Sequence, residues 1–314
     1  MLTANQQVVI RQRGQTVRTL RRHWQLLVML VPVVAYYLIF HYWPMYGIVI
    51  AFKDFKVARG ILGSSWTEPL FKHFITAYNN PQAMQALGNT IIISVMKLLF
   101  TFPAPIVLAL LLNEVRNRYF KRVVQTFTYL PHFLSWVVLS GIFIQFFSSN
   151  GPINAIIQAV GGTPKLPMHQ PGTFRWMLVL SSLWKEVGWG TIIYLASLSN
   201  VDSELYEAAV LDGAGRFQQT LHVTLPAISP VVVIMLIFAI GGLINDDFDQ
   251  IYNMTNPAVF SVSDVLSTFV YRTGLQEMRF SYSTAVGLFK NVVAFALIMM
   301  TNGIARRISD YGLW

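Results

Sequence analysis

Long runs without a single charge, set at regular intervals, organise this chain. Trp24 to Ala51 contains no Asp, Glu, Lys or Arg over 28 residues, and Val123 to Phe147 contains none over 25. A helix rises about 1.5 Å per residue, so either run crosses a hydrocarbon core of about 30 Å with length to spare. The same pattern predicts six membrane helices, at 25–50, 88–112, 122–147, 174–198, 228–246 and 283–304, and an all-α, polytopic fold. Pro103 and Pro105 interrupt the second span, and Lys185, Glu186, Gly188 and Gly190 the fourth. Such breaks need neighbouring helices or a wet cavity to satisfy the freed backbone groups. The first span is too long for a cleaved signal peptide and lacks a small-residue cleavage site, so it is expected to stay as an anchor.

Composition agrees with the pattern. Hydrophobic residues are 54% of the chain, charged residues only 12%, and the mean hydropathy is +0.50, outside the balance of a soluble domain. The net charge of +9 is unevenly spread. Arg11, Arg13, Arg18, Arg21 and Arg22 precede span one, Arg116, Arg118, Lys121 and Arg122 separate spans two and three, and Arg306 and Arg307 follow span six. With Arg216, that side holds twelve of the 23 Lys and Arg. Basic residues favour the cytoplasmic side, which places both termini there, against anionic lipid head groups. The chain divides into a basic N-terminal segment, 1–23, and a transmembrane domain, 24–314. No nucleic-acid motif accompanies the high pI. There is no cysteine, and the six histidines form no metal-binding pattern, so neither a metal site nor a catalytic residue is expected. No GxxxxGK[ST] occurs, so this chain cannot supply its own P-loop ATPase.

Between spans four and five lies EAAVLDGAGRFQQTLHVTLP, Glu207 to Pro226. Asp202 or Ser203 can cap a short helix with Glu204 and Glu207 in its first turn, favourable at the positive end of the helix dipole. Gly213 and Gly215 permit a sharp bend into a second helix, which Pro226 ends or kinks. The prediction is an exposed helical elbow, at about 200–227, shaped to fit a groove on another protein. Outside the spans, Phe52 to Leu87 reads as short interfacial helices, and Ser148 to Gly172 as a turn at Asn150-Gly151-Pro152 followed by a short helix from Ile153 to Val160.

Glu207, Ala208, Ala209, Gly213, Val223, Leu225 and Pro226 stand at the spacing of the EAA loop, and the segment resembles that loop of bacterial ABC importer permeases. The runs LWKEVGWG at 183–190 and FDQIYNM at 248–254 extend the resemblance to sugar-type permeases, nearest to the first permease of alginate- or pectin-oligosaccharide importers. That resemblance implies the six-helix type I importer fold in the bacterial inner membrane. It also implies partners: a second homologous permease in a heterodimer, two ATPase subunits that bind ATP and Mg, and an extracytoplasmic solute-binding protein. The coupling helix would run from Glu207 to Arg216, with Ala208, Ala209, Asp212 and Gly213 within it, docked on an ATPase subunit. The substrate would be an oligosaccharide, an acidic uronate or alternatively a neutral one. A stand-alone secondary transporter would leave the elbow without a purpose, and a membrane enzyme would need a constellation the sequence lacks.

Ionisable residues inside spans are costly and are candidates for a substrate path. Lys185 lies ten residues beyond Arg175, about 15 Å along the helix and near mid-bilayer. Lys290 falls in the outer half. Each is expected either to contact substrate or to anchor helices through an ion pair, with Glu186 or Asp247 as the partner. Lys97 is expected to snorkel to the outer interface, and Asp246, Asp247 and Asp249 to stand at the external mouth. Trp189, at i+4 from Lys185, shares its face and offers a flat surface to a sugar ring. Asn245 and Phe248 join it as path candidates, as do Trp136, Trp184, Tyr194 and Asn291.

Overall fold

The computed structural model describes residues 23–242 and 247–308, and among these the fold is all-helical apart from an isolated bridge between Lys53 and Trp66. Each expected span corresponds to helix among the described residues; 243–246, the end of the fifth, lie outside them. We label the principal helices α1, Trp24–Phe52; α2, Pro81–Glu114; α3, Arg118–Phe133; α4, Trp136–Phe146; α5, Pro171–Leu198; α6, Ser203–Leu211; α7, Arg216–Gly241; α8, Phe248–Met254; α9, Leu266–Tyr271; and α10, Phe280–Ile308. Of the described helices, α1, α2, α7 and α10 are each long and apolar enough to cross a membrane, and α3 with α4 makes a fifth such segment, bent by 106°. The fourth expected span, α5, has the length, at 28 residues, but carries Arg175, Lys185 and Glu186. It tolerates them because it is the central helix, packed against α2, α3 and α7 and contributing eleven buried residues.

The glycines of α5 do not break it, contrary to the sequence expectation. A Cβ at Gly188 would lie 2.1 Å from the carbonyl oxygen of Thr128, and one at Gly190 would lie 2.9 Å from the Pro105 ring. These positions let α3 and α2 approach the α5 backbone, which is packing by small residues rather than interruption. In α2 the prolines interrupt the helix only at Phe102, whose backbone stays helical: Phe102 N still donates to Leu98 O at 3.3 Å, and helix resumes at Pro103. Residues without an amide hydrogen cost least at the start of a helical run. The opposite case is α1, apolar all round, which buries no side chain from Trp24 to Tyr37 and meets the rest of the fold where Tyr46–Phe52 packs on α10.

Three apolar clusters hold the bundle. One joins Ile93 of α2 to Phe174, Met177 and Leu178 of α5 and to Ile251 and Met254 of α8. A second joins Ala83 and Ala86 to Leu266, Phe269, Tyr282 and Val286. The third packs Ala109, Tyr194, Leu198 and Ile228 toward the other end. Outside the spans, residues 53–80 include short helices such as Lys72–Tyr78, as expected, whereas Pro81–Leu87 belongs to α2. Helix Pro152–Ala159 also matches the reading and is pinned by fully buried Asn154, whose amide donates to Ser148 O and Lys165 O.

The 106° bend between α3 and α4 frees backbone carbonyls inside the bundle, and Lys185 takes them up. Its Nζ donates to His132 O at 2.6 Å, Leu134 O at 2.7 Å and Pro131 O at 3.4 Å, and the residue is 7% exposed. An ammonium has three donors, and here each meets a carbonyl. Lys185 therefore does not pair with Glu186 or Asp247, the partners drawn from sequence, which meet His132 and Lys97 instead; it caps the bend between α3 and α4. Lys185→Met should strip this donor from His132 O and Leu134 O, while Pro131 O keeps Leu134 N at 3.2 Å. At about 1–3 kcal/mol for each buried unsatisfied group, with partial relaxation, the loss is about 3–5 kcal/mol. A thermal melt of the purified protein should show a clearly lowered Tm, and an unchanged Tm would dismiss the capping role.

Candidate functional site

Holding the bend in place orders the next turn of α5. Glu186 Oε2 lies 2.9 Å from His132 Nδ1, and the His132 ring stacks on Trp189 with centroids 4.4 Å apart and planes 1° from parallel. Glu186 and Trp189 then form one wall of a cleft of about 360 Å³ between α2, α5 and α7. Its other walls include Lys97 and Phe102 of α2, Tyr194 of α5 and Phe238 of α7, with Asp247 at one end. Aromatic faces with a few fixed polar groups are the composition of a small-molecule site.

Two carboxylates, Glu186 and Asp247, and one ammonium, Lys97, line the cleft. Lys97 Nζ lies 2.6 Å from Asp247 Oδ2 and also donates to Gln250 Oε1. Gln250 is fully buried and held by Nε2 donation to Leu178 O and Ser181 Oγ, both at 2.7 Å. Lys97 thus does not snorkel outward, as the sequence suggested; pairing with Asp247 and Gln250 draws it inward, and its side chain is 13% exposed. Pairing offsets the cost of a charge in a span.

Of the path candidates, Trp189 and Asp247 line the cleft with Tyr194, whereas Lys185 lies behind its wall. Phe248 turns away to pack on Tyr252 and Tyr271. Lys290 is half-buried on α10 outside the cleft, and Asn291 is exposed there. Trp184 packs on Phe143, and the Trp136 ring centroid is 5.6 Å from Lys185 Nζ. Asn245 and Asp246 lie outside the described residues. His132 and Gln250 were missed by sequence reasoning. Pro131 within an apolar run was the signal for the first; nothing local marked the second.

The elbow forms, with altered bounds. Asp202 is the cap of α6, its carboxylate accepting from Glu204 N at 3.0 Å. The helix starts at Ser203, so Glu204 lies in its first turn and Glu207 in its second, and it ends at Leu211 rather than running to Arg216. Gly213, at φ 80°, closes it: Gly213 N donates to Val210 O at 3.0 Å and Ala214 N to Ala209 O at 2.9 Å, a left-handed cap that disfavours a side chain. Then α7 begins at Arg216. Pro226 does not end it, because a π turn over Thr220–Thr224 shifts the register and passes Leu225 N to Thr220 O before the proline withdraws a donor. Arg216 Nη1 meets Glu114 Oε2 of α2 at 3.2 Å, and the Tyr206 and Thr224 hydroxyls are 3.0 Å apart, so the elbow is tied to two helices. Glu207, Ala208, Asp212 and Gly213 are exposed and Ala209 is half-buried. Leu211 is 89% and Phe217 79% exposed, an apolar tip on a polar hairpin.

The family model of binding-protein-dependent transport system inner membrane components matches residues 101–310. Protein LplB of Bacillus subtilis (strain 168) is 46% identical over 296 residues, 94% of this chain and 92% of that protein. The polygalacturonan/rhamnogalacturonan transport system permease protein YteP of the same organism is 43% identical, covering 92% of this chain and 90% of YteP. Among solved structures, a chain of a bacterial alginate ABC transporter, in complex with an alginate pentasaccharide-bound periplasmic protein, superposes with a TM-score of 0.87. It is 37% identical, covering 94% of this chain and 99% of that one. This chain therefore belongs to the binding-protein-dependent transport system inner membrane components, as a multi-pass permease subunit of a sugar-type ABC importer whose ATPase is a separate subunit.

Proposed function

We propose that this permease carries acidic oligosaccharides through the cleft between α2, α5 and α7. The observation that carries the reading is Lys97, the one cation among the described residues lining the cleft, set among Trp189, Tyr194, Phe102 and Phe238. Sugar rings have apolar C–H faces that suit the aromatics, and a uronate adds a carboxylate for the ammonium. That carboxylate would compete with Asp247 for Lys97. Two relatives named for acidic polysaccharides, alginate and polygalacturonan, support the same chemistry. A neutral oligosaccharide is the second reading, favoured by the charge balance that Asp247 already gives Lys97. The two readings part on opposite variants. Lys97→Gln should lower uptake of a galacturonate oligomer about tenfold, the worth of a charge-assisted hydrogen bond, and change uptake of a neutral oligomer less than about twofold. Asp247→Asn, by freeing Lys97, should lower KM for the acidic oligomer. Equal effects on both sugars would reject the acidic reading.

The elbow is proposed to be the coupling helix, docked on one of two ATPase subunits that bind ATP and Mg, in an assembly with a second homologous permease and an extracytoplasmic solute-binding protein. Leu211 and Phe217 support this, since large apolar side chains exposed on a polar hairpin suit a partner's groove. Glu207 stands beside them for an ion pair with a basic residue there. Because both side chains are solvent-exposed, Leu211→Asp with Phe217→Asp should leave the permease folded but abolish copurification of the ATPase. Retention of the ATPase with normal sugar-stimulated ATP hydrolysis would remove the elbow from coupling.

We infer that the elbow faces the cytoplasm and that the Pro152–Ala159 helix lies outside, following the arginine asymmetry. The chain has no cysteine, so single thiols report cleanly. Val160→Cys, at an 81% exposed position, should react with a membrane-impermeant maleimide in intact cells, and Leu211→Cys should not. The reverse pattern would invert the topology.

A further inference from the structure

The short helix α8 has two working faces. Asp247 at its start and Gln250 within it turn toward Lys97 and the cleft, whereas Tyr252 turns the other way, into a second cavity of about 530 Å³. This cavity is lined by Tyr252, Asn256, Phe260, Tyr271, Arg272 and Gln276, among others, and none of these lines the cleft. Its lining comes entirely from residues 252–276, after α7 in the chain.

Its construction is specific. Phe248, Tyr252 and Tyr271 form a ring cluster with centroids 5.2–5.3 Å apart, Phe248 stacked at 17° against Tyr252 and Tyr271 edge-on at 73° to it. Tyr252 remains 47% exposed. Opposite, Arg272 grips buried Asp264 through two hydrogen bonds, at 3.0 and 2.8 Å, with its guanidinium carbon 4.9 Å from the Phe260 ring centroid. The Thr268 hydroxyl donates to the same carboxylate at 2.8 Å. Asn256 is fixed by donating to Met168 O at 2.8 Å. The wall is thus rigid, aromatic on one side, polar on the other, and carries a matched Arg–Asp pair.

We propose that this cavity is a second saccharide-binding site, outside the translocation cleft, which takes one pyranose ring against the exposed face of Tyr252 and beside Tyr271. The inference rests on the reading of the chain as an oligosaccharide carrier. A pyranose joins an apolar C–H face to a rim of hydroxyls, and the cavity pairs aromatic faces with amide and guanidinium groups. A lipid chain has no use for the polar wall. Asp264 already neutralises Arg272, so the site reads hydroxyls and ring shape rather than a carboxylate. Its volume lies within the range of about 300–1,000 Å³ typical of small-molecule sites. One helix, α8, separates the two sites, so a saccharide held on Tyr252 sits one helix away from the Lys97–Asp247 pair.

The intact importer, with its copurifying subunits, is photolabelled with diazirine-tagged tetragalacturonate and, separately, with diazirine-tagged galactotetraose, and adducts are mapped by mass spectrometry. We expect at least one probe to label the Tyr252–Gln276 peptide, in competition with its untagged parent. Labelling should fall about tenfold in Tyr252→Ala, as expected when a stacking face is lost, and persist in Tyr252→Phe, which keeps the ring. Both variants should melt with the parental protein, since Tyr252 is half exposed. No adduct in that segment with either probe, adducts unchanged in Tyr252→Ala, or loss that only tracks a lowered Tm would each overturn the site. Adducts on the cleft peptides carrying Lys97 and Trp189 report separately on the translocation reading, so either conclusion can fail while the other stands.

Discussion

A membrane span that breaks must find partners for its own backbone, and in this protein that requirement is met by one ammonium group. The carbonyls of Pro131, His132 and Leu134 converge on Lys185 Nζ, and no water from the bilayer core could replace it. Everything nearby takes its register from this cap. With Lys185 fixed, the next residue, Glu186, reaches His132 Nδ1, and Trp189 one turn on lies flat against the same imidazole. Those two α5 side chains become the cleft wall. A charge that looked like part of the path is the fastener behind it.

The same constraint explains why α5 is polar where α1 is not. A helix surrounded by α2, α3 and α7 exchanges its polar groups with protein, so Ser181, Ser182, Lys185 and Thr191 are buried and hydrogen-bonded. Glycines at 188 and 190 bring the neighbouring backbone and proline ring close enough to seal it. By contrast α1, which buries no side chain from Trp24 to Tyr37, carries no Asp, Glu, Lys or Arg. Hydropathy therefore ranks helices by their exposure to lipid, not by their importance to the bundle.

Charge pairing sets the character of both cavities. In the cleft, Lys97 and Asp247 come from α2 and the start of α8, far apart in sequence, and Gln250 braces the contact from beneath. In the second cavity, Asp264 and Arg272 are eight residues apart and bound side by side. The first pair joins two elements distant in sequence. The second is local and buried on its carboxylate side, so it serves as wall.

The sequence by itself determined the helical class, the apolar spans, the bend at the elbow and the family likeness. Those follow from local properties: uncharged runs long enough for a bilayer, a cap at Asp202, and a glycine at Gly213 where the backbone must turn left-handed. It also marked Trp189 and Asp247, because an aromatic or charge in a span is conspicuous at any spacing. It misplaced what depends on the opposite side of a contact. Lys185 and Lys97 look alike in the linear chain, yet one faces three carbonyls and the other a carboxylate, and only the packing of α5 on the α3–α4 bend and of α8 on α2 decided which. Gly188 and Gly190 read as a break until Thr128 and Pro105 were seen against them. Pro226 read as a stop or a kink because a single missing donor says nothing of the π turn that precedes it. Local chemistry names the groups; tertiary packing chooses their partners, because a desolvated charge or carbonyl takes whichever complement the fold brings within hydrogen-bond reach.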